Sequence, residues 1–488
     1  MAAFRQPAPS PAGRRHGGSN RCVNKGNESM DLMNSAEKPQ PPRSITRELA
    51  AFAVHTRFAE LPDAVKAESA RAFLNWMGCV FGGCQDPAVG IAADVALEAG
   101  GRAQASLIGR GRRTDVANAA FVNCLSSSVL SFDDTHLATV THPTGPVAAA
   151  LFAYSEQHAV AGEEFLTALA VGIEIECRLS NVLLLPPARA NLGFFVTGLT
   201  GPIGAAAALG RLMQLDEQRM RWALGLAAAQ AAGFRGTHGA MAAFFVPAHA
   251  ARCGVSAATL AFKGVTCTDH VLEGAKGFVD VFGAGGDLNR AADGLGRHFE
   301  LMANAYKPYP SGIVVQPAID ACMDIAQQLP SNALLETVTL RVHPLALELT
   351  DRRKPEDPVQ AQISLYHWAA ACLVQRAAGL AQLQQACIDD PAVAALRARI
   401  TAVADPALAR DEAVAEVKLT HGTAYRAHVE HARGSIARPM TDAELDAKFS
   451  AQVDTVLPPA ARDELLGLCR GVAELPEVGR RIAAAWGG

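Results

Sequence analysis

The feature that most constrains the fold is a change of texture near Lys307. Upstream of it, apolar residues recur at helical spacing in one segment after another: "ITRELAAFAVHTRF", "DAVKAESARAFLNWMGCVFGG", "VANAAFVNCLSSSVL", "VAAALFAYSEQHA", "EEFLTALAVGIEIECRLSNVLLL", "RMRWALGLAAAQAAGF" and "AHAARCGVSAATLAFKG". Breakers separate them, such as "LPD" and the Pro186–Pro187 pair. Only "ASLIG", followed by the turn "GRGRRTD", reads as extended, and its arginines read as a solvated turn rather than a phosphate site. Downstream, "LETVTLRVHP" alternates and is β-branched, as strands are. "AEVKLTHGTAYRAHVEH" reads as a hairpin turning at His421–Gly422. Between these two, "VQAQISLYHWAAACLVQRAAG" and "PAVAALRARITAV" read as helices, and helical pattern returns from "TDAELDAKFSAQV" to the end. The expected fold is mainly α: a large all-helical domain from residues 44–305 and 435–488, with a smaller α+β domain, 306–434, inserted before the C-terminal helices. Aromatic residues make up only 6% of the chain while Ala and Gly abound, which suits helices packed closely through small contact residues.

Several classes of partner are set aside on composition. A net charge of −4 gives no electrostatic footprint for nucleic acid. No apolar run reaches the eighteen or so residues of a membrane span. The eleven cysteines are scattered, odd in number and contain no CxxC pair, which argues against a disulfide framework, a zinc ribbon or a local iron–sulfur motif. Residues 1–43 are rich in Pro, Gly, Ser, Asn and Arg without an apolar period and are expected to be a disordered tail. They hold no signal-peptide core, Met30 and Met33 are alternative starts, and a cytoplasmic location is expected.

Chemistry concentrates in two stretches. "SFDDTHLATVTHPTGP", 131–146, gathers Asp133, Asp134, Thr135, His136 and His142 where a helix gives way to a turn. A turn frees side chains to converge on a cleft, and paired carboxylates with a histidine suit proton transfer near neutral pH. The same residues also fit a solvated helix end or a metal site of Asp and His. "NAYKPYPSG" sets Lys307, Tyr309 and Ser311 in a proline-stiffened segment at the domain boundary, where ligands often bind. A lysine there can bind a carboxylate, or the segment is a plain linker. "TGLTGPIGAAAALGRLM" spaces Gly198, Gly201 and Gly204 three apart. Its helical neighbours favour close helix packing over a nucleotide loop, which would have to follow a strand.

Taken together, "GRGRRTDVANAAFVNCLSSSVLSFDDTH", "THPTGPVAAALFA", "AYKPYPSGIVVQPAIDA", "VQAQISLYHWAAACL" and "GSIARPMTDAELDAKF" resemble the MmgE/PrpD family, from about Ser44 to the C-terminus. That family includes 2-methylcitrate dehydratases, cis-aconitate decarboxylases and iminodisuccinate epimerases. The resemblance implies a cleft between a helical and an α+β domain, a homodimer, no metal or organic cofactor, and a small carboxylate substrate. By motif position it implies that Thr135, His142 and Lys307 line the active site and that Asp133 and Asp134 are its acidic pair.

The chain also departs from the family's pattern. Ser131 stands where an acid often precedes the DDTH motif. Phe195 stands at a usual histidine, Ala243 and Val246 at a usual lysine and histidine, Gln316 at a further histidine, and Leu349 near a tyrosine of the decarboxylases. One face of the cleft is therefore expected to be apolar, with a substrate carrying fewer carboxylates than citrate and an alkyl or aryl group. Arg235, Thr237 and His238 in the loop "GFRGTHGAMAAFF" are compensating candidates, with Arg235 and His238 as substrate-binding residues, because a guanidinium can clamp a carboxylate bidentately. His249 is expected on a helix surface, with contact to the site as the alternative. The expected function is a cofactor-free, dehydratase-like lyase that abstracts a proton beside a carboxylate. In it His142 is the acid–base group, oriented by Asp133 or Asp134, Thr135 bonds substrate, and Lys307 holds a carboxylate or the enolate-like charge. Its rivals are an epimerase on the same fold, a carboxylate-binding pseudoenzyme, and a metal-dependent hydrolase built on the DDTH motif and His142.

Overall fold

A computed structural model describes residues 43–487. The expected disordered tail lies outside these residues, except for Arg43, which bonds Glu48 and Asp293 at 2.6 and 2.9 Å and so joins the ordered part.

The chain is mainly α-helical, as expected from its periodicity. Helices Asp63–Gly83, Val116–Ser128, Thr144–Ser155, Gly162–Leu184, Val196–Leu212 and Ala242–Phe262 form the bulk. Two of them, Thr144–Ser155 and Gly162–Leu184, are buried on almost every side; the first is apolar all round, while the second also buries Glu174, Glu176 and Arg178. Asp115 starts the helix Val116–Ser128 by accepting hydrogen bonds from the backbone N–H of Ala117 and Asn118.

The spaced glycines serve packing. A Cβ on Gly204 would lie 2.6 Å from the carbonyl oxygen of Gly172, and one on Gly201 3.1 Å from Ala250 Cβ. The helix Val196–Leu212 is thereby pressed against two neighbours, and the nucleotide-loop alternative falls away. The C-terminal helix Asp442–Val453 opens with a capping box between Thr441 and Glu444. It packs Leu445 and Phe449 into the same apolar cluster as Phe73, Trp76 and Phe152.

A four-stranded sheet runs in the order Ile400–Ala404, Leu335–Val342, Ala413–Leu419, Ala424–Val429. Its first pair is parallel and the others antiparallel. The last two strands form the expected hairpin, with Gly422 at φ +93° in its turn. Helices Gln316–Gln328 and Leu365–Gln375 contribute to its core.

Three expectations are corrected here. "PAVAALRARITAV" is helical only over Pro391–Arg397; its β-branched second half is the strand Ile400–Ala404, paired with Leu335–Val342. "VQAQISLYHWAAACLVQRAAG" is two helices, Pro358–Ala361 and Leu365–Gln375, because Ser364 breaks the run by capping the second through His367 N–H. The region 44–305 is not all-helical. Ala105–Leu107 pairs with Arg112–Thr114, and Thr135–His136 pairs antiparallel with Asn304–Ala305.

Candidate active site

The short pairing of Thr135–His136 with Asn304–Ala305 builds the site. The helix Val116–Ser128 ends, Ser131 turns the chain at φ +47°, and the strand then runs alongside the segment leading to Lys307. Lys307, 1% exposed, places its Nζ 2.8 Å from Asp133 Oδ1. Asp133 Oδ2 is 3.4 Å from His142 Nδ1. The same Nδ1 lies 3.0 Å from the backbone carbonyl of Asp134 and 3.2 Å from Thr135 Oγ1. A carbonyl oxygen can only accept, so Nδ1 carries the hydrogen. Nε2, with no protein partner among the described residues, is then the basic nitrogen. Thr197 Oγ1 accepts from the backbone N–H of His142 at 2.9 Å and fixes the turn from below.

Electrostatics sort the two aspartates. Burial would raise Asp133, but His142 and Lys307 outweigh it and hold the carboxyl below its ordinary range. Asp134 is pushed up to about 6 by burial, against the hydrogen bonds it accepts from Thr144 and Asn304. Burial lowers His142 to about 4, with Asp133 opposing, so its imidazole is neutral at pH 7.

A chamber of about 90 Å³ opens above these groups. Asp133, His142, Arg235, His238 and Lys307 are its ionisable lining. Phe195, Ala243, Phe244, Val314, Leu349 and Ile363 supply much of the rest. The apolar face expected from the departures is therefore present at Phe195, Ala243 and Leu349. The Phe195 ring meets His142 edge-on at 6.0 Å and His238 at 5.0 Å between centroids. Arg235, His238, Leu349 and Ile363 also border a wider outer vestibule, whose charged groups include Arg352, Arg353, Lys354, Glu348 and Asp351.

Other expected site residues are placed differently. Tyr309 donates its hydroxyl hydrogen bond to Asp320 at 2.8 Å, and Ser311 Oγ accepts from Gln316 Nε2 at 2.6 Å. Both lie outside the chamber lining and instead brace the segment after Lys307, because their hydroxyls find buried partners on the helix Gln316–Gln328. Asp134 and Thr135 sit behind the lining. Asp134 ties the turn to Thr144 and Asn304, while Thr135 reaches His142 rather than the open space. His136 bonds Thr139 and Glu300. Val246 packs against Gly198 and Gly233. His249 stacks on Phe245 and reaches Arg252, outside the lining. Asp133 is committed to Lys307 and Asp134 to neutral partners, and no set of three metal-ligating side chains gathers among the described residues.

Two contributors escaped the sequence. Gln362 lines the chamber and accepts from Ser131 Oγ at 2.6 Å while donating to the carbonyl of Val129. The Ser364 cap was the available signal that the helix breaks there. Lys448 is buried behind the site, donating to the carbonyl of Phe132 at 2.7 Å and to Asn75 Oδ1 at 2.6 Å. Only its place at the inward spacing of the helix Asp442–Val453 hinted at this.

Comparison with known proteins agrees with this layout. The MmgE/PrpD N-terminal domain matches residues 47–291 and the MmgE/PrpD C-terminal domain matches residues 309–470. The chain belongs to the MmgE/PrpD family. It is 24% identical to the cis-aconitate decarboxylase of Mus musculus over 459 residues, covering 89% of this chain and 91% of that one. Identity to the cis-aconitate decarboxylase of Homo sapiens is also 24%, over 89% and 93% of the two chains. The 2-methylcitrate dehydratase of Cupriavidus necator is 32% identical over 108 residues, 21% of this chain and 22% of that one. Both family domains contribute to the chamber: His142, Phe195 and Arg235 come from the first, Val314, Leu349 and Gln362 from the second. No helix among the described residues is long and apolar enough to cross a membrane.

Proposed function

We propose that this MmgE/PrpD member is a lyase acting on a small carboxylate by removing a proton from the carbon beside it. The observation that carries the reading is the buried run Lys307–Asp133–His142, with spacings of 2.8 and 3.4 Å, opening through His142 into the chamber. His142 takes the proton on Nε2. Asp133 and the Asp134 carbonyl hold the ring and stabilise the imidazolium that forms, as an orienting carboxylate does. The electron pair left on carbon becomes the new double bond as the neighbouring C–OH bond breaks. The imidazolium then returns its proton to the departing hydroxyl as water. Negative charge grows on the substrate carboxylate in between, and preorganised positive charge is the largest single aid such a step can receive. Arg235 lines the chamber as the cation available for that charge, while Lys307, 2.8 Å from Asp133, keeps the orienting carboxylate ionised.

The names of the decarboxylase and dehydratase relatives support the carboxylate substrate and the lyase class. Epimerisation is the second reading. Its support is the second neutral imidazole in the lining, His238, which also packs edge-on against Phe195 and could serve a second face of a planar intermediate.

The test is proton NMR in D₂O with a panel of hydroxy, unsaturated and amino carboxylates, using Lys307→Ala and His142→Ala as controls. Deuterium incorporation or loss of water that disappears in both variants is the expected result. Turnover of a substrate unchanged by both would overturn the assignment.

A further inference from the structure

The ionisable groups of the inner chamber do not balance. Lys307 and Asp133 neutralise one another at 2.8 Å, with Lys307 1% exposed, so that ammonium is already committed. Burial holds both His142 and His238 down at about 4, in the neutral form at pH 7. Arg235 remains. Burial lowers it only to about 10, so it is charged. Its Nε and Nη2 are buried and make no hydrogen bond with any described residue. Among the described residues its one aromatic partner is the Phe195 ring, 5.7 Å from the guanidinium carbon. Glu348, in the vestibule, acts on it only at a distance.

A guanidinium with two of its three nitrogens withdrawn from water and unpaired is costly, and its planar donor fork matches a carboxylate. The chamber thus carries one uncompensated positive charge, and Phe195 packs against both that charge and the His142 base. We propose that the chamber selects a monocarboxylate. Arg235 grips its single carboxylate, the adjacent C–H faces His142, and an alkyl or aryl body lies on Phe195, Ala243, Phe244 and Leu349. This rests on the lyase reading and deepens it. The growing enolate charge falls on Arg235, and Lys307 serves to keep Asp133 ionised. A second carboxylate held inside the chamber would have to meet the apolar wall, where no second uncommitted cation lines the space, which is a penalty against dicarboxylates.

The experiment is calorimetric titration with matched probes: crotonate against fumarate, 3-hydroxybutyrate against malate, and cinnamate as the aryl case. Each is titrated into the wild type, Arg235→Gln and Arg235→Lys. The monocarboxylates are expected to bind at least about tenfold tighter than their dicarboxylate counterparts. Arg235→Gln is expected to weaken them at least about thirtyfold, the scale for removing one partner of a desolvated charge pair, with Arg235→Lys in between. Ligand-free Arg235→Gln should melt at or above the wild-type temperature, which separates lost binding from lost folding. Equal or tighter dicarboxylate binding, unchanged affinity in Arg235→Gln, or no binding by any monocarboxylate probe overturns the proposal. The lyase reading fails separately: monocarboxylates that bind through Arg235 but exchange no deuterium leave this selectivity standing and remove the reaction.

Discussion

Thr135 and Ala305 face each other in a two-residue antiparallel pair, and just beyond its end Lys307 Nζ meets Asp133 Oδ1 at 2.8 Å. One residue separates Asp133 from the start of the first strand and one separates Lys307 from the end of the second, so the pairing delivers both to the same end of the ladder. The Lys307–Asp133 contact across 174 residues of sequence is therefore brought within reach by this backbone pairing and made by charge. The proline-stiffened segment and the DDTH turn meet because this small pairing joins them.

One consequence concerns stability. Asp133→Asn removes the counter-charge of a buried lysine, and leaving one partner of a buried pair alone costs about 3–5 kcal/mol. Lys307→Met strands Asp133 in the same way. The double variant Asp133→Asn with Lys307→Met removes both charges and should lose clearly less than the sum of the two. Urea unfolding of the four proteins measures this; additive losses would show that the two groups are energetically independent.

Protonation gives a second. His142 and His238 are both held at about 4, whereas an unfolded histidine titrates near about 6.5. Between those values the unfolded chain binds more protons than the folded one, so stability rises with pH. The contribution of each histidine is complete above about 6.5 and is lost as the pH falls towards 4. Asp134, held up at about 6, works in the opposite sense below that value and offsets one of the two histidines. Nitrogen-15 NMR of the imidazoles should show His142 neutral at pH 6, with its hydrogen on Nδ1. A His142 protonated at pH 6 would contradict the lowering by burial, while a neutral ring with its hydrogen on Nε2 would contradict the Asp134 carbonyl contact.

Packing gives a third. Gly204→Ala would set its Cβ 2.6 Å from the Gly172 carbonyl oxygen and 2.8 Å from Glu176 Cβ, both in a buried helix. Overpacking a tight contact costs about 1–3 kcal/mol, read as a drop in melting temperature. Gly264→Ala makes no comparable contact but sits at φ +97°, so any loss there reports backbone strain alone. A Gly204→Ala protein as stable as wild type would mean that the two helices sit farther apart.

These results also show what the sequence could and could not display. The DDTH turn and Lys307 were visible because breakers and ionisable residues punctuate apolar runs. Their pairing was not, since two-residue strands carry no readable period. Ile400–Ala404 was hidden because it follows a helix without a Gly or Pro between them, so the helical period seemed to continue through it. Tyr309 and Ser311 shared a rigid segment with Lys307, but sequence proximity does not tell which side chains face a cavity. Their hydroxyls went to Asp320 and Gln316 on the neighbouring helix. The apolar wall was legible at Phe195, Ala243 and Leu349, where the resemblance to relatives exposed the substitutions. It was not at Val246, whose neighbours Phe244 and Pro247 line the chamber in its place.

The wall can be tested by reversal. Phe195 meets both His142 and His238 edge-on and lies under the Arg235 guanidinium, so it sets an apolar surface beside both the base and the anion clamp. Phe195→His puts a hydrogen-bonding ring at that position, without an added carboxylate to compete for Arg235. A polar group on the wall lowers the cost of placing a second carboxylate there and lessens apolar contact with an alkyl or aryl body. Fumarate should then gain on crotonate by about tenfold in relative affinity, the scale of one hydrogen bond to a charged group. Calorimetry of the same matched probes reads the ratio directly, and adding Arg235→Gln to the variant should weaken both ligands. A ratio that stays at the wild-type value would mean that Phe195 does not face the ligand. The apolar wall would then have to be drawn from Ala243, Phe244 and Leu349 alone.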